Sequence, residues 1–161
     1  MGAAVSIKTF IDWLYDTPFS SFIRDTDGLI AFVQSVHILA IAAVFGSALA
    51  IELRILRWFG TEASLSIIAR RFLPWLWWSL LLLLTTGLIM ILGEPDRTLA
   101  NGVFWSKMGL VLLATGLTFW LRRPLMEAEA APPARWQGLA LTVIWVAVIF
   151  CGRWIAYAGG V

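Results

Sequence analysis

Across 161 residues the chain has one cysteine and one histidine, and only 14% of its residues are charged. A single Cys151 excludes an intramolecular disulfide framework and says nothing about redox compartment. With His37 the only histidine, paired Cys/His metal spacings and bis-histidine ligation within one chain are both excluded. There is no phosphate-binding glycine loop and no Ser-His-Asp set beyond what His37 itself can join, which argues against a hydrolase or a nucleotide-driven pump. No Gly/Ser-rich or Pro-rich linker divides the chain, so a single domain is expected. A net charge of +2 is too small to be a nucleic-acid footprint, so no nucleic-acid partner is expected.

What is present is apolar surface: 60% of the residues are hydrophobic and ten are tryptophan. Four runs, about 28–51, 73–92, 103–121 and 137–158, are long enough to cross about 30 Å of hydrocarbon at roughly 20 residues each. Short connections make sequence neighbours antiparallel. The expected fold is therefore all-α, an integral membrane four-helix up-down bundle over residues 28–161. Asp27 is placed to cap the first run. Thr61 is placed to cap an amphipathic lead-in to the second, whose entry Pro74 marks. The stretch "GEPDRTLANG" reads as a turn-rich loop.

Residues 1–27 lack a basic segment followed by an apolar core, so they do not read as a cleavable signal peptide. Ile7, Phe10, Ile11 and Leu14 recur at amphipathic helical spacing, with Thr17-Pro18 as the stop. The spacing predicts a short helix lying in the membrane interface or lying over the mouth of the bundle as a lid, with Trp13 and Tyr15 as headgroup anchors.

Loop charge sets the expected orientation. Arg54, Arg57, Arg70, Arg71, Arg122, Arg123 and Arg135 fall in the first and third connections, against Lys8, Arg24 and Arg97 on the other side. The side richer in cations stays cytoplasmic, so both termini are expected to be periplasmic, in a bacterial inner membrane. Trp75, Trp77, Trp78, Trp120 and Trp136 fall near the inner boundary, and Trp105 and Trp154 near the outer, as interfacial belts do.

Three ionisable residues lie inside the spans: His37 in the first, Lys107 in the third and Arg153 in the fourth. Such groups are costly in lipid and usually turn toward partners inside the bundle. At about 1.5 Å per residue, His37 lies about 14 Å below the outer boundary, Lys107 about 8 Å and Arg153 about 6 Å. A haem b set edge-on in the bundle needs an axial imidazole near mid-membrane and cations nearer the surface for its propionates. His37 fits the first role, and Lys107 and Arg153 the second. Tyr157, one turn past Arg153, and Gln34, one turn before His37, are candidate donors to the propionates.

Two rival expectations accompany this. Met90, Met108 and Cys151 are soft ligands that can hold copper with His37, although each is also ordinary apolar filling. An accessory or anchor subunit of a larger membrane complex, or a homo-oligomer, needs no site at all. Small residues such as Ala42, Gly46, Ala50, Gly109 and Gly116 then serve only close helix contacts. Elsewhere, Glu94 and Asp96 flank Pro95 as turn chemistry, and Glu127 and Glu129 read as solvated charge.

The segments "VHILAIAAVFGSALAIELRIL", "RRFLPWLWWSLLLLLTTGLIMI", "FWSKMGLVLLATGLTFWLRR" and "RWQGLALTVIWVAVIF" resemble, in order, the four-helix layout of the HemJ-type bacterial protoporphyrinogen oxidases. They are also similar to the CopD-like membrane proteins of copper handling. The resemblance to the HemJ-type family implies bound haem b, with His37 and Lys107 at the positions of the family's functional histidine and lysine and Gly87 at its second-helix glycine. The chain departs from that family in having "TGLTFW" where a Tyr-His-type motif follows the lysine, and "RWQGLAL" where an Asn-Glu-Pro precedes the last helix. What the resemblance implies is thus the fold and a haem site, and the departures argue against protoporphyrinogen oxidation itself; the function expected from the residues together is electron transfer by a haem b protein, with a quinone or a periplasmic protein as partner.

Overall fold

The structure is a computed structural model that describes residues 2–127 and 131–158, with side chains described from residue 7 onward except those of 156 and 158. Glu129 lies outside the described residues. The described chain is helical throughout its regular structure: α1 (Gly2–Tyr15), α2 (Pro18–Asp25), α3 (Leu29–Ile55), α4 (Leu65–Gly93), α5 (Pro95–Leu99), α6 (Gly102–Met126) and α7 (Arg135–Ala158).

Four of these helices, α3, α4, α6 and α7, are long and apolar enough to cross a membrane. In hydrocarbon every backbone N–H must be bonded within the chain, and an unbroken helix does this segment by segment. Their lengths exceed the expected runs, because helical hydrogen bonding continues past the last apolar residue into the polar ends. The lead-in "LSIIARRF" and the second run form one 29-residue helix, α4, about 43 Å long. Pro74 accordingly lies in the third turn of α4 rather than at its entry.

The ends of the helices differ from expectation in instructive ways. Ser64, not Thr61, caps α4, its side chain accepting the Ile67 N–H. Asp27 does not cap α3; the preceding residue is Gly28 at φ 77°, a left-handed conformation that glycine adopts without strain, and no side-chain cap is present. The loop after α4 contains α5, which starts at Pro95, with Asn101 then capping α6 through the Val103 N–H. Thr17-Pro18 stops α1 and at once starts α2, with Thr17 as N-cap and Pro18 in the first turn. The N-terminal segment is therefore two helices, not one.

The long helices form a ring. α3 pairs with α4 and α6 with α7, while α3 also packs on α7 and α4 on α6. The start of α3 and the end of α7 lie at one end of the bundle, called here the terminal end; the α3–α4 connection, the end of α6 and the start of α7 lie at the other, the connection end. Alanine at Ala69 and Ala114, both fully buried, lets helices approach closely. One apolar cluster near the connection end contains Ile51, Ile55, Leu73, Leu121 and Leu141. A second, at mid-bundle, contains Val44, Ala48, Leu76, Trp145 and Val148.

Large apolar side chains on the outside of the ring are uncovered: Leu39 is 70% exposed, Leu112 69% and Phe150 69%. No soluble monomer tolerates a continuous belt of this kind, and lipid is the solvent that suits it. The chain is a multi-pass membrane protein.

Helix α2 closes part of the terminal end. Ile23 is buried against Gly93, where a Cβ would lie 2.9 Å from the Ile23 Cγ2. Ser20 donates to the Leu92 carbonyl at 2.6 Å, and Arg24 donates to Ser20 Oγ and to the Tyr15 carbonyl while stacking 3.7 Å from the Tyr15 ring. Of the expected amphipathic face, Ile11 and Leu14 are buried, whereas Ile7 and Phe10 are exposed. Trp13 remains exposed at 63% and available to a headgroup region.

Candidate functional site

The terminal half of the bundle holds His37, in the third turn of α3, against Thr86 and Gly87 of α4. Thr86 Oγ1 donates to the Leu82 carbonyl at 2.7 Å, one turn back along its own helix. A hydroxyl has one proton to give, so when that proton goes to the Leu82 carbonyl, the imidazole is the donor in the 2.7 Å contact between His37 Nδ1 and the same Oγ1. The neutral ring then carries its proton on Nδ1 and keeps a lone pair on Nε2. Gly87 lets α4 run close beside the ring, since a Cβ there would lie 3.6 Å from His37 Cε1.

Lys107, on α6, is half-buried and lays its stem along Gly152 of α7, where a Cβ would be 3.9 Å from Lys107 Cε. It lies within Coulombic range of both His37 and Cys151. Among the described residues no hydrogen bond or ion pair engages its ammonium group. All four membrane helices thus contribute at one level: an imidazole, a threonine with a glycine, a lysine, and a cysteine with a glycine. The glycines thin the helix walls around two polar side chains.

Other expected site residues are placed differently. Arg153 is exposed and donates to the Tyr157 hydroxyl at 2.7 Å, with its guanidinium 4.9 Å from that ring. Tyr157 is itself 64% exposed, so this pair sits on the outside of the bundle, not in the space between His37 and Lys107. Gln34 is also exposed. Met90 and Met108 are half-buried on α4 and α6, and Cys151 is a free, half-buried thiol beside Lys107. Among the described residues no group of three His, Cys, Asp or Glu side chains gathers to hold a metal ion.

Haem asks less of the protein than a bare ion does, because the porphyrin supplies four ligands and one axial imidazole suffices. The residues present fit that requirement. His37 would offer the imidazole ligand, with Thr86 in contact with its other ring nitrogen as outer-shell acceptors are in metal-bound histidines, and Lys107, without a partner among the described residues, would offer a cation to a carboxylate.

A second polar element was not singled out from the sequence. Glu52, in the last turns of α3, is 2% exposed and is the one buried carboxyl among the described residues. Its Oε2 lies 2.7 Å from Thr142 Oγ1 on α7. The expected first span stopped at residue 51 because Glu52 ends the apolar run. The signal was in the spacing: Val44, Ala48, Glu52 and Ile55 continue the buried stripe of α3 one turn at a time. Near the same end a groove of about 640 Å³ between α4 and α6 is lined by Trp77, Trp78, Arg122 and Arg123, far from His37.

No curated protein and no solved structure matches the chain. Residues 10–158, which include all four long helices and every polar group of both sites, match a family described as a family of unknown function, DUF6644. That match covers nearly the whole chain, which therefore belongs to the DUF6644 family.

Proposed function

We propose that this protein binds haem b in the terminal half of its helix bundle and carries electrons there, with His37 Nε2 as axial ligand. The observation that carries this is the 2.7 Å contact of His37 Nδ1 with Thr86 Oγ1, whose own proton has the Leu82 carbonyl to go to; with Nδ1 as donor, Nε2 is the lone-pair nitrogen. When bound, the haem supplies one-electron chemistry. Thr86 holds the imidazole in one tautomer and one orientation. Lys107 offers its ammonium to a propionate in a low-dielectric site, where a charge-assisted bond is strong. Arg153 and Tyr157, paired on the outer surface nearer the terminal end, are positioned for the headgroup region or for the polar edge of the cofactor. Gln34 shares the exposed face of α3.

The concentration of arginine in the connections supports a bacterial inner membrane with both termini periplasmic. The site then lies in the periplasmic half, and a membrane quinone or a periplasmic redox protein is the matching electron partner. Copper is the weaker alternative, because Lys107 sets a positive charge beside both His37 and Cys151.

The visible spectrum of the detergent-purified protein tests this. A Soret band in the wild type that is lost in His37→Ala is expected. A colourless preparation with stoichiometric copper would favour the copper alternative. A colourless, metal-free preparation that co-purifies with other chains would favour an accessory subunit.

A further inference from the structure

We propose that Glu52 is a proton-binding site within the membrane, a carboxyl group that takes up and releases one proton through the connection end of the bundle. The inference stands apart from haem binding and is carried by the geometry at the other end of α3.

Thr142 Oγ1 has two neighbours within hydrogen-bond reach, the Gly138 carbonyl at 3.0 Å and Glu52 Oε2 at 2.7 Å. It has one proton for the two. When that proton goes to the Gly138 carbonyl, one turn back on α7, Thr142 can only accept from Glu52, which then must be the acid and donate its own O–H. When the threonine's proton points to Glu52 instead, the Glu52 carboxylate accepts it. The threonine thus has a partner in either state of the carboxyl, as a group that exchanges a proton without moving requires. The chemistry is one O–H bond formed or broken on a Glu52 oxygen, the proton coming from or going to water at the connection end.

Among the described residues no counter-ion faces Glu52 that would hold the carboxylate permanently charged. On α3, Arg54 is turned to the Ala63 carbonyl at 2.8 Å. On α4, Arg70 donates to the Met126 carbonyl; on α6, Arg122 stacks on Phe119 and Arg123 pairs with Glu127; on α7, Arg135 is exposed at the first turn. The groups that do face Glu52 are apolar or hydroxyl-bearing. Ile51, Leu76, Thr118 and Leu141 line a small, mainly apolar cavity beside it, and the Thr118 hydroxyl is taken up by the Ala114 carbonyl at 2.8 Å. An isolated carboxylate is very costly in such a place, whereas a hydrogen-bonded acid is not.

The direction of exchange follows from the packing. Glu52 lies 15 positions along α3 from His37, about 22 Å, with the apolar layer of Val44, Ala48, Leu76, Ala114, Trp145 and Val148 between them. That layer separates the two sites. Toward the connection end α3 stops three residues on, at Ile55, and Glu52 is covered by Ile55, Leu125 and the first turns of α7, where Gly138 lets α7 lie directly on α3; a Cβ there would be 3.0 Å from Ile55 Cγ2. The shorter way to water from Glu52 is therefore toward the connection end.

Infrared difference spectra of the full chain in lipid vesicles, recorded as pH is changed, read the carbonyl stretch of a protonated carboxylic acid. The expected result is a titrating acid band in the wild type that is lost in Glu52→Gln and shifts to higher wavenumber, without loss, in Thr142→Val. Dicyclohexylcarbodiimide, which modifies carboxylic acids in apolar surroundings, is expected to label Glu52 and to lose that labelling as pH rises. No acid band in the wild type, or a band unaltered in both variants, overturns the proposal. If Glu52→Gln fails to fold, the shift in Thr142→Val and the site of carbodiimide labelling decide the matter: an unshifted band or an unlabelled Glu52 refutes it.

Discussion

Replacing Thr86 by valine keeps the shape of the side chain and removes the acceptor on which the orientation of His37 depends. On the proposed assignment Thr86 Oγ1 sends its own proton to the Leu82 carbonyl at 2.7 Å and receives the His37 Nδ1–H at 2.7 Å. A neutral hydrogen bond of this kind is worth about 1 kcal/mol net, or about a 5-fold bias in a two-state equilibrium. In Thr86→Val that bias is gone, and a proton left on Nδ1 faces a methyl group, a penalty of about 1–3 kcal/mol. The imidazole is expected to move its proton to Nε2 in most molecules. Because His37 is the only histidine, labelling the protein with ¹⁵N-histidine gives a single imidazole pair of resonances, and their shifts report the tautomer directly. The expectation is an Nδ1–H ring in wild type and in Thr86→Ser, and an Nε2–H ring in Thr86→Val. Haem affinity is expected to fall about 10- to 100-fold in Thr86→Val, as when an outer-shell partner of a metal-bound histidine is removed. An Nε2–H tautomer in the wild type would refute the assignment whether or not haem binds.

Gly93→Ala places a methyl group 2.9 Å from Ile23 Cγ2 and is expected to destabilise the docking of α2 by about 1–3 kcal/mol, seen as faster proteolysis between α1 and α3; unchanged cleavage would contradict this. Ser20→Ala removes the bond to the Leu92 carbonyl and the partner of Arg24, and is expected to loosen the same segment without altering α4 to α7, as hydrogen exchange would show. Ser64→Ala is expected to cost about 1 kcal/mol through loss of the N-cap of α4, whereas Thr61→Ala is expected to be silent in thermal unfolding. Lys107→Met should leave the fold intact and weaken retention of haem in detergent. Equal retention would remove Lys107 from the site.

The four-helix architecture was legible because in lipid a helix is dictated by the length of an apolar run, and the runs are long. Helix ends were less legible. Asp27 and Ser64 are both good caps by residue type, but only Ser64 stands where the chain leaves extended geometry, and at the start of α3 Gly28 takes that place with a left-handed turn. Position along a span gives depth but not direction. His37 and Lys107 turn inward to within Coulombic range of each other, while Arg153 and Tyr157, at a similar depth, satisfy one another on the surface. Glu52 escaped attention because a charge ends a hydropathy window. The helix does not end there, and the buried stripe of α3 carries the carboxyl inward.

The central claim is that His37 Nε2 is a ligand of haem iron, and resonance Raman spectra of the reduced protein with and without ¹⁵N-histidine test it most directly. With one histidine in the chain, an iron–imidazole stretching band that moves to lower frequency on labelling is the expected result. A haem spectrum whose iron–ligand band is unmoved by the label would contradict it.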